Sequence, residues 1–139
     1  MKKNAIVSFL VFSAGFCLVM VGSGFRPFEQ KKPWVAPDAA KNKKNPVASN
    51  AESIAAGKAL WATHCKSCHG TKGMGDGSKA AQLKTEPGDF SKAETQNQTD
   101  GSLFYKTSEG RDDMPSFKKK IPDADDIWSI VNFMRTLKK

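Results

Sequence analysis

Apolar and polar positions divide the chain into three stretches. From Ala5 to Phe25 the run AIVSFLVFSAGFCLVMVGSGF is apolar and uncharged. From Arg26 to Val47 no apolar period is present. From Ser49 onward hydrophobic residues return at helical steps of three and four. Ile54, Gly57 and Trp61 share one face of a helix predicted to run to about Thr63, opened by Ser49-Asn50-Ala51-Glu52 in capping-box form. Glycine inside a helix costs about 1 kcal/mol against alanine, so Gly57 marks either close approach of another helix or a tolerated defect. Leu103, Phe104 and Thr107 face inward on a helix from Gly101 to Ser108, capped by Thr99 or Asp100 and ended by Gly110. Pro122 and Asp123 open a last helix. In it Ile127, Ile130, Val131 and Met134 follow the i, i+3, i+4, i+7 pattern, with Trp128, Phe133 and Leu137 widening the apolar face. Lys79 to Leu83 reads as a short helix, and Pro87 to Phe90 as a turn that sends Phe90 into the core.

The first two stretches read as a leader and a linker. A basic start followed by the apolar run has the form of an export signal or a membrane anchor, residues 1–25. Its length is about that of a bilayer-spanning helix, roughly 20 residues, and the reading leans toward a retained anchor with Lys2 and Lys3 on the inside. Gly22, Ser23 and Gly24 would also suit a cleavage site. Residues 26–48 read as a linker. Four of the seven prolines and six basic residues lie between Arg26 and Val47, and Pro-rich, like-charged segments stay extended. The remainder, 49–139, is one domain. The formal net charge is +8, and +6 without residues 1–25. Such a surface suits nucleic acid, an anionic membrane or an acidic protein partner.

One motif decides among these. Cys65-Lys66-Ser67-Cys68-His69 spells C-x-x-C-H, the attachment signature of a c-type haem. Two thiols three positions apart reach the two vinyl groups of one porphyrin and add across them as thioethers. The imidazole that follows binds iron from the proximal side. A zinc site would need more thiol or imidazole ligands, yet the only other cysteine is Cys17, in the leader, and the only other histidine is His64. A thioredoxin-like pair would sit in a βαβ setting, and none is visible. The haem turns the basic charge toward redox proteins with acidic docking surfaces, and away from nucleic acid. It also requires export, because thioether attachment takes place outside the bacterial cytoplasm: the expected place is the periplasm or the outer face of the cytoplasmic membrane. Gly70 to Gly77 is glycine-rich but lacks the Gly-Lys-Ser/Thr of a phosphate loop. Its glycines are expected to let the backbone pass the porphyrin edge.

Iron in such a haem needs a sixth ligand or keeps an open position. Methionine thioether is a soft donor that raises the reduction potential. Met134 falls on the buried stripe of the last helix, and Met74 lies too soon after Cys68 to cross to the opposite face. Met114, in a loop fixed by Pro115, is the expected distal ligand. His64 is expected to face solvent.

Cys65-Lys66-Ser67-Cys68-His69-Gly70, Gly73 to Gly77, Met114-Pro115-Ser116-Phe117, Ile127-Trp128 and Met134 to Leu137 together resemble the class I, mitochondrial-type, mono-haem cytochrome c domains of bacteria. The resemblance covers about Ser49 to Lys139. It implies an all-α fold: a small cytochrome c fold of three to five helices around one covalently bound haem c, with N- and C-terminal helices crossing at right angles. It implies contact of Gly57 and Trp61 with the last helix, Phe133 included. It also implies a proline carbonyl, from Pro87, orienting His69 through Nδ1. The expected function is a carrier of single electrons in the cell envelope, not an enzyme, with Lys118 to Lys120 as a docking patch or merely a solvated turn. Two rivals stay open: a cytochrome subunit of a larger membrane-bound oxidoreductase, and a haem enzyme with an open sixth position should Met114 not bind iron.

Overall fold

The computed structural model describes residues 33–139, so the export-signal or anchor reading of residues 1–25 lies outside the described residues. The described helices are α1 (Asp38–Lys41), α2 (Ala51–His64), α3 (Lys66–His69), α4 (Ala93–Gln96), α5 (Asp100–Glu109) and α6 (Ala124–Arg135), with a 3₁₀ turn at Ala80–Gln82. The fold is all-α, and α2, α5 and α6 are the three helices that the apolar period predicts.

Their starts follow local chemistry. The capping box of α2 sits one residue later than Ser49: Asn50 accepts from Ser53 N at 2.9 Å, and Ser53 Oγ accepts from Asn50 N at 3.2 Å. Asparagine caps as well as serine does, and this register also lets Ser53 Oγ donate to Ala48 O at 2.7 Å. Thr99 caps α5 through Ser102 N, and Asp123 caps α6 through Asp125 N. Gly110, at φ +69°, ends α5.

The core forms where α2 lies across α6. A Cβ on Gly57 would stand 1.9 Å from Ser129 O, so only glycine lets the two backbones approach this closely. Trp61, one turn on, is buried, with its ring 5.7 Å from that of Phe133. Helix α5 packs on the same helix through Phe104, stacked on Trp128 at 4.1 Å. At its end α6 is clamped by Arg135, which bonds Asp100 Oδ1 at 2.6 Å and the carbonyls of Gln96 and Gln98 at 2.7 and 2.6 Å.

Residues 33–48 differ from the expected extended linker. Ala36 is buried. The Ala40 carbonyl lies where a Cβ on Gly101 would be, 2.0 Å away. Asn45 Nδ2 donates to Asn132 Oδ1 at 2.8 Å, while Asn132 Nδ2 donates to Ser53 Oγ at 3.1 Å. Lys43 Nζ sits 4.8 Å over the Phe104 ring. Proline and lysine content describes the chain's stiffness and charge. It does not reveal that Asn132, a polar residue in the apolar stripe of α6, holds this segment down.

Candidate functional site

The C-x-x-C-H motif does not simply finish α2. Cys65 ends that helix at φ −113° and starts the single turn α3. Its carbonyl accepts from Cys68 N at 3.2 Å and His69 N at 3.0 Å. Residues at i, i+3 and i+4 share a helical face, and Cys65, Cys68 and His69 all line one cleft of about 480 Å³. Both thiols are free; Cys65 is buried and Cys68 half-buried. The loop that follows turns back on the motif. Gly75 N donates to His69 O at 2.9 Å, Gly77 N to Cys68 O at 3.1 Å, and Lys79 N to Ser67 O at 2.8 Å. These bonds satisfy carbonyls that a helix end leaves open. A Cβ on Gly77 would stand 2.5 Å from Ser67 O, so the close approach that needs glycine is to the chain's own backbone. The His69 ring lies against Trp61 and Phe90, at 5.6 and 5.2 Å, and the Trp61 indole N–H donates to Gly70 O at 3.0 Å.

Met114 lines the same cleft from a different part of the chain. Arg111 and Met114 exchange backbone hydrogen bonds of 2.9 Å each around Asp112, which takes φ +53°. The loop is pinned to α5 by Ser116 Oγ donating to Ser108 O at 2.7 Å and by Phe117 N donating to the same oxygen at 3.1 Å. Asp113 ties it to the segment after the 3₁₀ turn: its carboxylate accepts from Lys84 N at 2.7 Å and Thr85 N at 3.1 Å. Met74 is exposed, beside Lys139 Nζ, and is not among the cleft residues. Met134 is buried in the core and also borders the cleft. His64 does not face solvent as expected. It is half-buried on the cleft, its ring 6.0 Å from Phe117, because the ligand loop folds back over the end of α2.

Two thiols at haem spacing, a half-buried imidazole and a thioether thus converge on one largely apolar cleft. Among the described residues no group of three or more His, Cys, Asp or Glu side chains forms an alternative metal site. Residues 52–134 match the family model described as cytochrome c oxidase, cbb3-type, subunit III. The chain belongs to this family. It is a c-type cytochrome domain, which implies covalently bound haem c and an electron-transfer function. A solved structure titled as the Kuenenia stuttgartiensis reducing HAO-like protein complex Kustc0457/Kustc0458 is similar at TM-score 0.59 and 25% identity, over 68% of this chain. The chain spans less than half, 47%, of that relative's length. A second, titled KustC0563 c-type cytochrome, is similar at TM-score 0.52 and 29% identity, over 60% of this chain and 98% of its own. No curated protein matches the sequence.

The site of this cytochrome fits the group its family implies. His69 Nδ1 is buried and completes no hydrogen bond. Burial lowers the imidazole pKa, and the Gly88 backbone, close to the ring but short of bond geometry, acts in the opposite sense and more weakly. The neutral ring that burial favours is the form that binds a metal. Burial also pushes the Cys65 thiol up to about 12, with the Cys68 charge adding to it. Pro87, which the resemblance put beside His69, lines the cleft, and its carbonyl oxygen would stand 2.5 Å from a Cβ on Gly75. Phe90 N bonds Gly73 O at 2.7 Å, and the turn so pinned holds both Pro87 and Gly88 on the cleft, where the Gly88 backbone acts on His69. Sequence reasoning missed Trp34, Lys106 and Arg111, which line the cleft, and Asp113, which steadies the ligand loop. An Asp directly before the candidate methionine was the one visible signal.

Proposed function

We propose that the chain is a mono-haem cytochrome that carries single electrons between redox proteins of a bacterial cell envelope. Cys65 and Cys68 would hold the porphyrin as thioethers, with His69 as the proximal and Met114 as the distal ligand of its iron. What supports this most is convergence: the C-x-x-C-H turn and the Met114 loop meet on one cleft, each held by its own backbone hydrogen bonds. Haem bound there supplies a one-electron change between ferrous and ferric iron. The chain's residues do the rest. Trp61, Phe90, Leu103 and Phe117 keep water from the cleft and lower its dielectric, which tunes the potential. Pinned loops on both sides hold the ligands in place in either oxidation state. With His69 and Met114 both engaged, the iron would offer no open site to a substrate, which favours transfer over catalysis.

Lys119 is exposed beside the ligand loop, with Lys118 paired to Glu109 and Lys120 over the Phe117 ring. This is the candidate contact for an acidic redox partner, since charge complementarity speeds and orients docking. The apolar run 5–25 supports export and tethering at the outer face of the membrane. The family description favours a second reading of the same site, a subunit of a larger membrane-bound oxidoreductase; co-migration of the haem chain with other subunits in native gels would separate the two.

The test is a chain matured in a host competent for c-type haem. Its mass should show one haem, and its ferric spectrum a thioether–iron charge-transfer band. In Met114→Ala that band is expected to vanish, the potential to fall, and carbon monoxide to bind the ferrous form readily. A wild-type chain lacking the added mass, or an unchanged band in the variant, overturns the assignment.

A further inference from the structure

The cleft carries a feature that iron ligation does not use. Lys106 and Arg111 line it, and the indole of Trp34 lies against both, 5.5 Å from Lys106 Nζ and 4.9 Å from Arg111 Cζ. Two cations are thereby gathered at one aromatic ring although they repel each other. Burial lowers the Lys106 pKa, and the charge of Arg111 lowers it further. Lys106 Nζ donates to the neutral Gln98 Oε1 at 2.5 Å, and Arg111 pairs through Nε with Asp112, whose side chain is mostly exposed. Glu94 acts on Lys106 in the opposite sense and more weakly, and the Asp113 carboxylate is engaged by the backbone of Lys84 and Thr85. An anion placed between the two cations would relieve the repulsion and the desolvation together.

We propose that Trp34, Lys106 and Arg111 form a carboxylate-binding subsite that takes the acid side chains of the porphyrin, with the segment before α2 acting as a strap over the cofactor. The inference rests on the haem reading above. A porphyrin fixed by Cys65 and Cys68 through its vinyl groups would have its two carboxylates elsewhere along the cleft, and of the cations that line it, Lys79, Lys106, Arg111 and Lys120, only Lys106 and Arg111 are gathered at the Trp34 ring. Cation–π contact holds the cations in position without neutralising them. Trp34 comes from outside residues 52–134, so the family match does not include it. Its segment is nonetheless fixed to the helical body, by buried Ala36 and by the bond between Asn45 and Asn132.

The test uses the full haem-loaded chain with Lys106→Gln, Arg111→Gln and Trp34→Ala, and the exposed Lys58→Gln as control. Two properties are read: the propionate bending mode in resonance Raman spectra, and the reduction potential. Loss of a cation near the carboxylates should shift the bending mode and lower the potential, because the ferric charge is then less disfavoured. Trp34→Ala should do both more weakly, Trp34→Phe should restore wild-type values, and Lys58→Gln should change neither. Wild-type mode and potential in both cation variants, with haem and charge-transfer band intact, would overturn the subsite alone. A colourless wild-type chain would overturn the haem reading and the subsite together.

Discussion

Asp113 shows how one side chain sets the behaviour of its neighbour. Its carboxylate takes two consecutive backbone N–H groups, from Lys84 and Thr85, across the mouth of the cleft from its own loop. Met114 follows directly, so with Met114 as the proposed iron ligand the carboxylate would limit how far the thioether swings. The bonds are exposed, which holds their worth to about 1 kcal/mol, or roughly a fivefold change in the population with the ligand detached. Asp113→Ala should therefore raise the carbon monoxide-reactive fraction of ferrous protein by that factor, and Asp113→Asn, whose amide oxygen still accepts, by less. Stopped-flow mixing with carbon monoxide measures it, and equal fractions in Asp113→Ala and wild type would deny the residue this role. At this scale Cys65, Cys68 and His69 were legible as a candidate site because attachment chemistry dictates their spacing, and the structure brings them to one cleft. Asp113, Trp34 and Gly88 were hidden, because their partners lie far along the chain or act through backbone atoms that no motif encodes.

Among the elements, the junction of α2 with α6 carries the most consequence. Gly57 faces the Ser129 carbonyl at a distance that leaves no room for a methyl group. Gly57→Ala gains about 1 kcal/mol of helix propensity, but it forces the helices apart and unpacks Trp61 from Phe133. Overpacking of a tight core costs about 1–3 kcal/mol, so net destabilisation is expected. Denaturant unfolding of the haem-loaded protein would show it as a lower midpoint, whereas a raised midpoint would mean the helices can part freely. The long helices were legible because each shows an apolar stripe at helical period. Helices α1, α3 and α4 have four residues apiece, too few for a period to appear. The packing of segment 33–48 was not legible for a related reason. It is held by Asn45, by Lys43 over Phe104 and by a buried alanine, contacts that hydropathy does not register.

For the whole molecule, the question is where the electron-transfer domain starts. Composition put the boundary at Ser49, yet among the described residues segment 33–48 already packs on the helical body. Asn132 decides the matter in energetic terms. Its buried side chain receives Asn45 on one atom and donates to Val47 O, Ala48 O and Ser53 Oγ on another. A chain beginning at Ser49 keeps only the bond to Ser53 and leaves Asn132 Oδ1 without the Asn45 donor. An unmet buried polar atom costs about 1–3 kcal/mol, and exposure of the Phe104–Trp128 stack adds to that. A chain beginning at Pro33 loses none of these contacts. Thermal unfolding of the two haem-loaded truncations should give full-length stability for the longer and a clearly lower Tm for the shorter. Replacing Asn132 with leucine in the shorter chain should recover part of the difference, since an apolar side chain needs no partner there. Equal melting of both truncations would mean that residues 33–48 contribute nothing to the folded domain, and the strap over the cleft would lose its mechanical basis.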